Sequence, residues 1–212
     1  MNNFLVRSTL VSLIVISIST MWFANSGAMT QQPQRIVIPK PWAKELVSVV
    51  AVKTKNKEKI EPGKAFDEDD DWLDGFTVTI ANNYSQTVTA ITVEMVFRRD
   101  FGDSRPPLNY SIHLGPSPNM PEYRDRDRSK IIKAGKSADL HLTPQNYQSL
   151  KAHLERAGYT TGIKRVELVI REIGFEDGSM VDVGTFYFQD PAYPNDPTKK
   201  VKEPQPPSAQ KT

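Results

Sequence analysis

Residues 72–98, WLDGFTVTIANNYSQTVTAITVEMVFR, decide the fold. Phe76, Val78 and Ile80 fall on one side of an extended chain, and Thr77, Thr79 and Ala81 fall on the other, which is the period of a strand with one buried face. Further on, Ile91, Val93, Met95 and Phe97 alternate in the same way with Thr92, Glu94, Val96 and Arg98. Val88 and Ala90 precede that second run out of phase, a one-residue slip that suits a β-bulge or a strand changing sheets. Between the runs, Asn82, Asn83, Tyr84, Ser85 and Gln86 carry turn chemistry, so the two strands are expected to form a hairpin. Strands with one dry face need a second layer to cover them, and the expectation is a β-sandwich.

Both flanks extend that reading. Upstream, Leu46, Val47, Val49, Val50 and Val52 form a β-branched run that favours a strand. Downstream, Tyr110, Ile112 and Leu114 alternate, as do Ala138, Leu140 and Leu142 within residues 131–142. Two closing strands are expected at 163–173 and 179–188, joined through Asp177-Gly178, a pair that favours a tight hairpin. The one helix runs from about 143 to 157. Thr143 suits its N-cap, Pro144 its first position and Gly158 its stop, and Tyr147, Leu150 and Leu154 make a narrow apolar stripe. Its place between strands makes it a crossover between sheets, with His153 beside the stripe on the solvent side.

The chain has 212 residues, a formal net charge of +2 and no cysteine. It begins with one basic residue, Arg7, then an uncharged apolar run at 10–23, then Ser26, Gly27 and Ala28, the layout of an export signal over 1–28. That run is shorter than the roughly 20 residues of a membrane-spanning helix. The chain is therefore expected to be secreted or periplasmic, the alternative being a domain anchored by an uncleaved N-terminal segment, and only then in contact with a membrane. Residues 29–44 read as a polar Gln/Pro-rich linker, 45–190 as the sandwich domain, and 191–212 as a disordered Pro/Lys-rich tail. Without cysteine, thiolate metal sites, thiol nucleophiles and disulfides are excluded.

Few motifs are complete. The run Asp67, Glu68, Asp69, Asp70, Asp71 and Asp74 is the strongest local charge feature. Asp67, Asp69, Asp71 and Asp74 are the candidate metal ligands, for calcium on a turned loop. Trp72 stands where an EF-hand needs glycine, and no glutamate follows at the required distance, so that motif is absent. Trp72 reads as a lid on the sandwich edge or, alternatively, as a sugar-stacking platform. Gly135-Lys136-Ser137 lacks the earlier glycine of a phosphate-binding loop, because Lys130 stands in its place. His113 and His141 would share a metal only if their strands were neighbours. No Gly-x-Ser-x-Gly elbow occurs, so no catalytic residue is assigned and no cofactor is expected. Residues 122–130 alternate in sign and lack the uncompensated positive groove of a nucleic-acid binder, so no nucleic acid is expected as a partner.

The Asn-Asn-x-Ser turn at 82–85 and the Ile-x-Val-x-Met-x-Phe strand at 91–97 resemble those of immunoglobulin-like β-sandwich modules of exported bacterial proteins. Ala134-Gly135-Lys136-Ser137 and the strand after it are similar to the start of a late strand in those modules. The resemblance covers roughly 46–190, and the helix after Thr143 departs from it. It implies a mainly β fold, an immunoglobulin-like antiparallel β-sandwich with one crossover helix, and roles in adhesion, spacing or recognition with no shared catalytic residues. The expected function is an exported non-enzymatic module that binds a protein or glycan, or is structural in the envelope. The alternative is a secreted carbohydrate- or calcium-binding domain using the acidic loop at 67–74.

Overall fold

The computed structural model describes residues 34–41, 45–99, 104–116, 131–159, 162–196 and 199–202. The segment expected as an export signal, the mixed-charge run at 122–130 and the end of the expected tail lie outside the described residues. Eleven strands and one helix make up the described body. They are β1 (Gln34–Lys40), β2 (Val47–Lys53), β3 (Ala65–Asp67), β4 (Thr77–Asn82), β5 (Val88–Phe97), β6 (Leu108–Leu114), β7 (Ser137–His141), α1 (Pro144–Arg156), β8 (Arg165–Phe175), β9 (Met180–Asp182), β10 (Thr185–Gln189) and β11 (Lys200–Lys202). The described residues are mainly β, a sandwich with one helix.

One sheet has three antiparallel strands in the order β2-β4-β7. The other has eight, and β8 is its hub. Antiparallel β5 runs along one edge of β8 from Glu167 to Phe175. The opposite edge is shared: β1 pairs parallel with Arg165 to Val169, and β9 pairs antiparallel with Glu172 to Gly174. β6 lies outside β5, β3 outside β1, and β10 and β11 outside β9. Apolar faces from both sheets, including Val78, Ile80 and Leu140 from one and Val93, Met95 and Leu168 from the other, meet in a single core. α1 carries the chain from β7 in one sheet to β8 in the other, and its stripe of Tyr147, Leu150 and Leu154 is buried as its spacing predicts. Thr143 accepts the Asn146 N–H at 3.2 Å as N-cap. His153 is exposed.

Three expectations change. The runs at 76–81 and 91–97 do not form a hairpin, because β4 and β5 belong to different sheets. Alternation fixes which face of a strand is dry but not which strand lies beside it. The five residues between them reach roughly 16 Å, ample for the ~10 Å between packed sheets. Asn82 shapes the crossing, donating to the carbonyls of Gln86 and Ile132, both at 2.8 Å, while its own carbonyl oxygen takes the Tyr84 N–H at 2.9 Å. The bulge near Ala90 is present as a register shift between Val88 and Ala90, with another between Thr92 and Val93.

The second change concerns boundaries. The segment expected as linker contains β1, which buries Val37 in the core and Arg35 beside it, and the sheet is mixed because β1 runs parallel to β8. The β-branched Ile36-Val37-Ile38 accounts for the strand, although glutamine and proline flank it. At the other end, Lys200–Lys202 in the expected tail pairs with β10.

The third concerns the last strand, expected as one run and broken in two at Val183-Gly184. Both residues have positive φ, 46° and 79°, as the shortest hairpin turns require. The break explains the parity change between Val181 and Phe186, which are paired and face the core together. Coverage falls off beyond it, leaving Phe188 39 % exposed. Positive φ costs a β-branched residue about 1–2 kcal/mol, and Val183 is 53 % exposed, with no packing to offset that. Val183→Asn creates the favoured Asn-Gly pair and is expected to stabilise the fold by about 1 kcal/mol, read as a higher urea midpoint with an unchanged slope.

Candidate functional site

The acidic loop leaves β3 at Asp67 and turns through residues 70–75, with Gly75 at a φ of 70° closing it. Its side chains sort by burial. Asp67, Asp69, Asp70 and Asp71 are exposed and Asp74 is half-buried, whereas Glu68, Trp72 and Leu73 are inside. Trp72 is 0 % exposed and packs edge-on against Phe66 and Phe76, with ring centroids at 5.4 and 5.6 Å. Removing an indole of this size from water takes away roughly 200 Å², worth about 5 kcal/mol. It is a structural anchor, as its reading as a lid implies, and no face of it is left for a sugar to stack on.

Two polar anchors hold the loop from below. Glu68, 3 % exposed, accepts from Thr54 Oγ1 at 2.5 Å and Asn56 Nδ2 at 2.8 Å. Arg35 of β1, 1 % exposed, reaches three backbone carbonyls: Ile163 at 3.0 Å, Asp69 at 3.3 Å and Glu68 at 3.4 Å. Its Nη2 also meets Asp70 Oδ1 at 2.5 Å. Trp72 Nε1 donates to the same Ile163 carbonyl at 2.7 Å. A Cβ at Gly162 would lie 1.9 Å from Asp70 Oδ1 and 2.9 Å from Arg35 Nη2, so a larger residue at this junction would displace the Asp70 carboxylate from the guanidinium.

Between the loop, the edge of α1 that carries Tyr147, Lys151, Leu154 and Glu155, and residues Tyr159 and 162–164 lies a cleft of about 790 Å³. Arg35 forms its floor, and Leu73, Leu154 and Ile163 supply apolar wall. Asp71 Oδ1 accepts from Tyr147 Oη at 2.7 Å and from Lys151 Nζ at 3.1 Å, which fastens the loop to the helix. Tyr159 donates to the Phe97 carbonyl at 2.6 Å and lies 4.6 Å beneath the Arg99 guanidinium. Glu155 on the helix and Lys164 on the opposite wall are both exposed.

These contacts fix the charge states. The Tyr147 hydroxyl and the Lys151 ammonium hold Asp71 below the usual carboxylate range, outweighing its partial burial. Burial, and then the Asp71 carboxylate beside it, push the Tyr147 phenol well above its ordinary value. Burial alone would raise Glu68, but its hydrogen bonds from Thr54, Asn56 and the Asp69 N–H outweigh that and lower it.

The four candidate metal ligands are not brought together. Asp69 pairs with Lys55 at 2.9 Å, Asp71 is spent on Tyr147 and Lys151, Asp67 ends β3 opposite Gln34, and Asp74 closes the turn through its N–H to the Asp71 carbonyl. Among the described residues, no three side chains of His, Asp or Glu gather as an ion would need. His113 and His141 lie on β6 and β7, in different sheets, and each ring Nδ1 hydrogen-bonds a neighbouring threonine, Thr92 at 3.1 Å and Thr77 at 2.9 Å.

Fold and site together define a β-sandwich with a mixed polar and apolar cleft under its crossover helix. Comparison with known proteins returns no match, whether to family models, to curated proteins or to solved structures.

A carboxylate whose folded-state pKa is lowered adds stability that is complete above its unfolded value and is lost as pH falls through the folded one. For Glu68 that window opens below its ordinary value of 4.5. Glu68→Gln is expected to melt lower than the wild type at neutral pH, with the gap between the two narrowing as pH drops below about 4.5 in a series of melting curves.

Proposed function

We propose that the chain is an exported, non-enzymatic β-sandwich that binds another macromolecule, a protein or a glycan, through the cleft between α1 and the acidic loop. The observation that carries this reading is the pairing inside the cleft. Asp70, Asp71, Tyr147 and Lys151 are committed to contacts within the chain. The two that shift, Asp71 and Tyr147, move away from neutrality, so neither is poised to exchange protons there. Groups held in one charge state suit recognition, whereas general acid–base work favours a pKa near the working pH. The size of the cleft and its mixed lining are those of a binding site. Export rests on the basic, apolar and small-residue order at the N-terminus, and no helix among the described residues is long and apolar enough to cross a membrane.

The side chains of Glu155 and Lys164 are exposed on opposite walls and form no hydrogen bond or ion pair among the described residues, so they are the groups through which a ligand is selected. Affinity capture from the envelope fraction of the source cells, with Glu155→Lys/Lys164→Glu beside the wild type, tests this. The wild type and a Val50→Ser control on the other sheet are expected to retain one species that the charge-swapped chain loses. Protease or glycosidase treatment of that species then tells protein from glycan. Equal retention by all three chains would remove the cleft as the binding site.

A further inference from the structure

The outer face of the large sheet carries a second charged assembly, centred on Glu167 in the hub strand. Glu167 is 2 % exposed, although it points away from the core between Ile38 of β1 and Val96 of β5, its partners in register. Three cations converge on it: Arg165 Nη2 at 2.7 Å, Arg98 Nε at 2.9 Å and Lys40 Nζ at 3.7 Å. Together they hold the carboxylate below its usual range, against the burial that would raise it.

One carboxylate needs one counter-charge, and here it has three. The surplus is an arrangement that costs energy by itself, since like charges gathered around one carboxylate repel one another. The three cationic side chains stay 45–56 % exposed. Each guanidinium contributes a single nitrogen to Glu167, which leaves the other N–H groups of the half-exposed Arg98 and Arg165 side chains to a ligand, in positions set by a buried anchor. Arginine forks held in this way match oxyanions, carboxylates among them.

We propose that Lys40, Arg98 and Arg165, gathered by Glu167, form a docking point for an acidic segment of a protein partner, separate from the cleft. Charge complementarity selects the occupant. The surplus is positive and local, and the half-buried Ile38 and Val169 beside it on the same face offer apolar contact to a peptide chain. Farther along that face stand Glu94, on β5, and the cross-strand pair Glu172 and Asp182. An extended anionic bilayer would meet those carboxylates too, whereas a short acidic segment meets only the basic end.

Fluorescence anisotropy with a labelled decaglutamate peptide, on the full chain exported from its own leader, tests the docking point. Binding is expected to weaken about tenfold or more between roughly 0.05 and 0.3 M salt. Arg98→Gln/Arg165→Gln is expected to weaken it by at least about tenfold, and Lys40→Gln, which leaves both arginines on Glu167, by a smaller factor. Lys133→Gln, an exposed lysine elsewhere, should leave it unchanged. Melting curves of each variant confirm that it folds, and the lysine variant carries the test if the arginine pair fails to. Absence of binding, equal loss in the Lys133 control, or binding to phosphatidylglycerol vesicles without binding to the peptide would overturn the proposal.

Discussion

The buried guanidinium of Arg35 is the constraint on which the site depends. It lies on a strand far in sequence from everything it holds, and it gathers the carbonyls of Glu68, Asp69 and Ile163 with the Asp70 carboxylate. A buried cation is costly unless paired and fully hydrogen-bonded, so the groups around it are locked as tightly as it is. Trp72 adds to the same junction by donating to the Ile163 carbonyl. The loop between β3 and β4 and the segment leading into β8 are thereby fixed together, and they form two of the three sides of the cleft. The third, α1, is tied on through Tyr147 and Lys151 to Asp71.

This arrangement follows from how β8 is used. A central strand has two edges, and here one is given whole to β5 while the other is divided between β1 and β9. The division brings the N-terminal strand into the middle of a sheet otherwise built from later residues. It also explains why Arg35 and Lys40, on one strand, serve two different assemblies: Arg35 supports the cleft, and Lys40 stands two residues past Ile38 on the outer face beside Glu167.

Much of the sandwich is legible in the sequence because burial leaves a period of two. The strands at 77–82, 88–97 and 108–114 and the helix after Thr143 all follow from alternation, caps and stripe spacing. Pairing is not legible in the same way, since Phe76 to Ile80 and Ile91 to Phe97 would alternate identically as hairpin partners or on facing sheets. β1 was hidden by composition: Gln34, Pro39 and Pro41 surround Ile36-Val37-Ile38 and make a core strand look like a spacer. The split of β9 from β10 has a signal in hindsight, the parity change around Val183-Gly184, although valine is a poor marker for positive φ. The candidate site was half visible. The acidic run marks the right loop, but its chemistry is that of intramolecular pairing, and the partners Arg35, Lys55, Tyr147 and Lys151 are scattered along the chain where no local pattern joins them.

Amide hydrogen exchange on Arg35→Met tests most directly whether one guanidinium organises the cleft. The substitution keeps an unbranched apolar stem and removes every donor. Residues 68–74 and 162–164 are expected to lose protection together, while β4, β5 and the middle of β8 keep theirs. Unchanged protection in both segments would contradict the account, because the loop and the wall opposite it would then hold their places without the group that joins them.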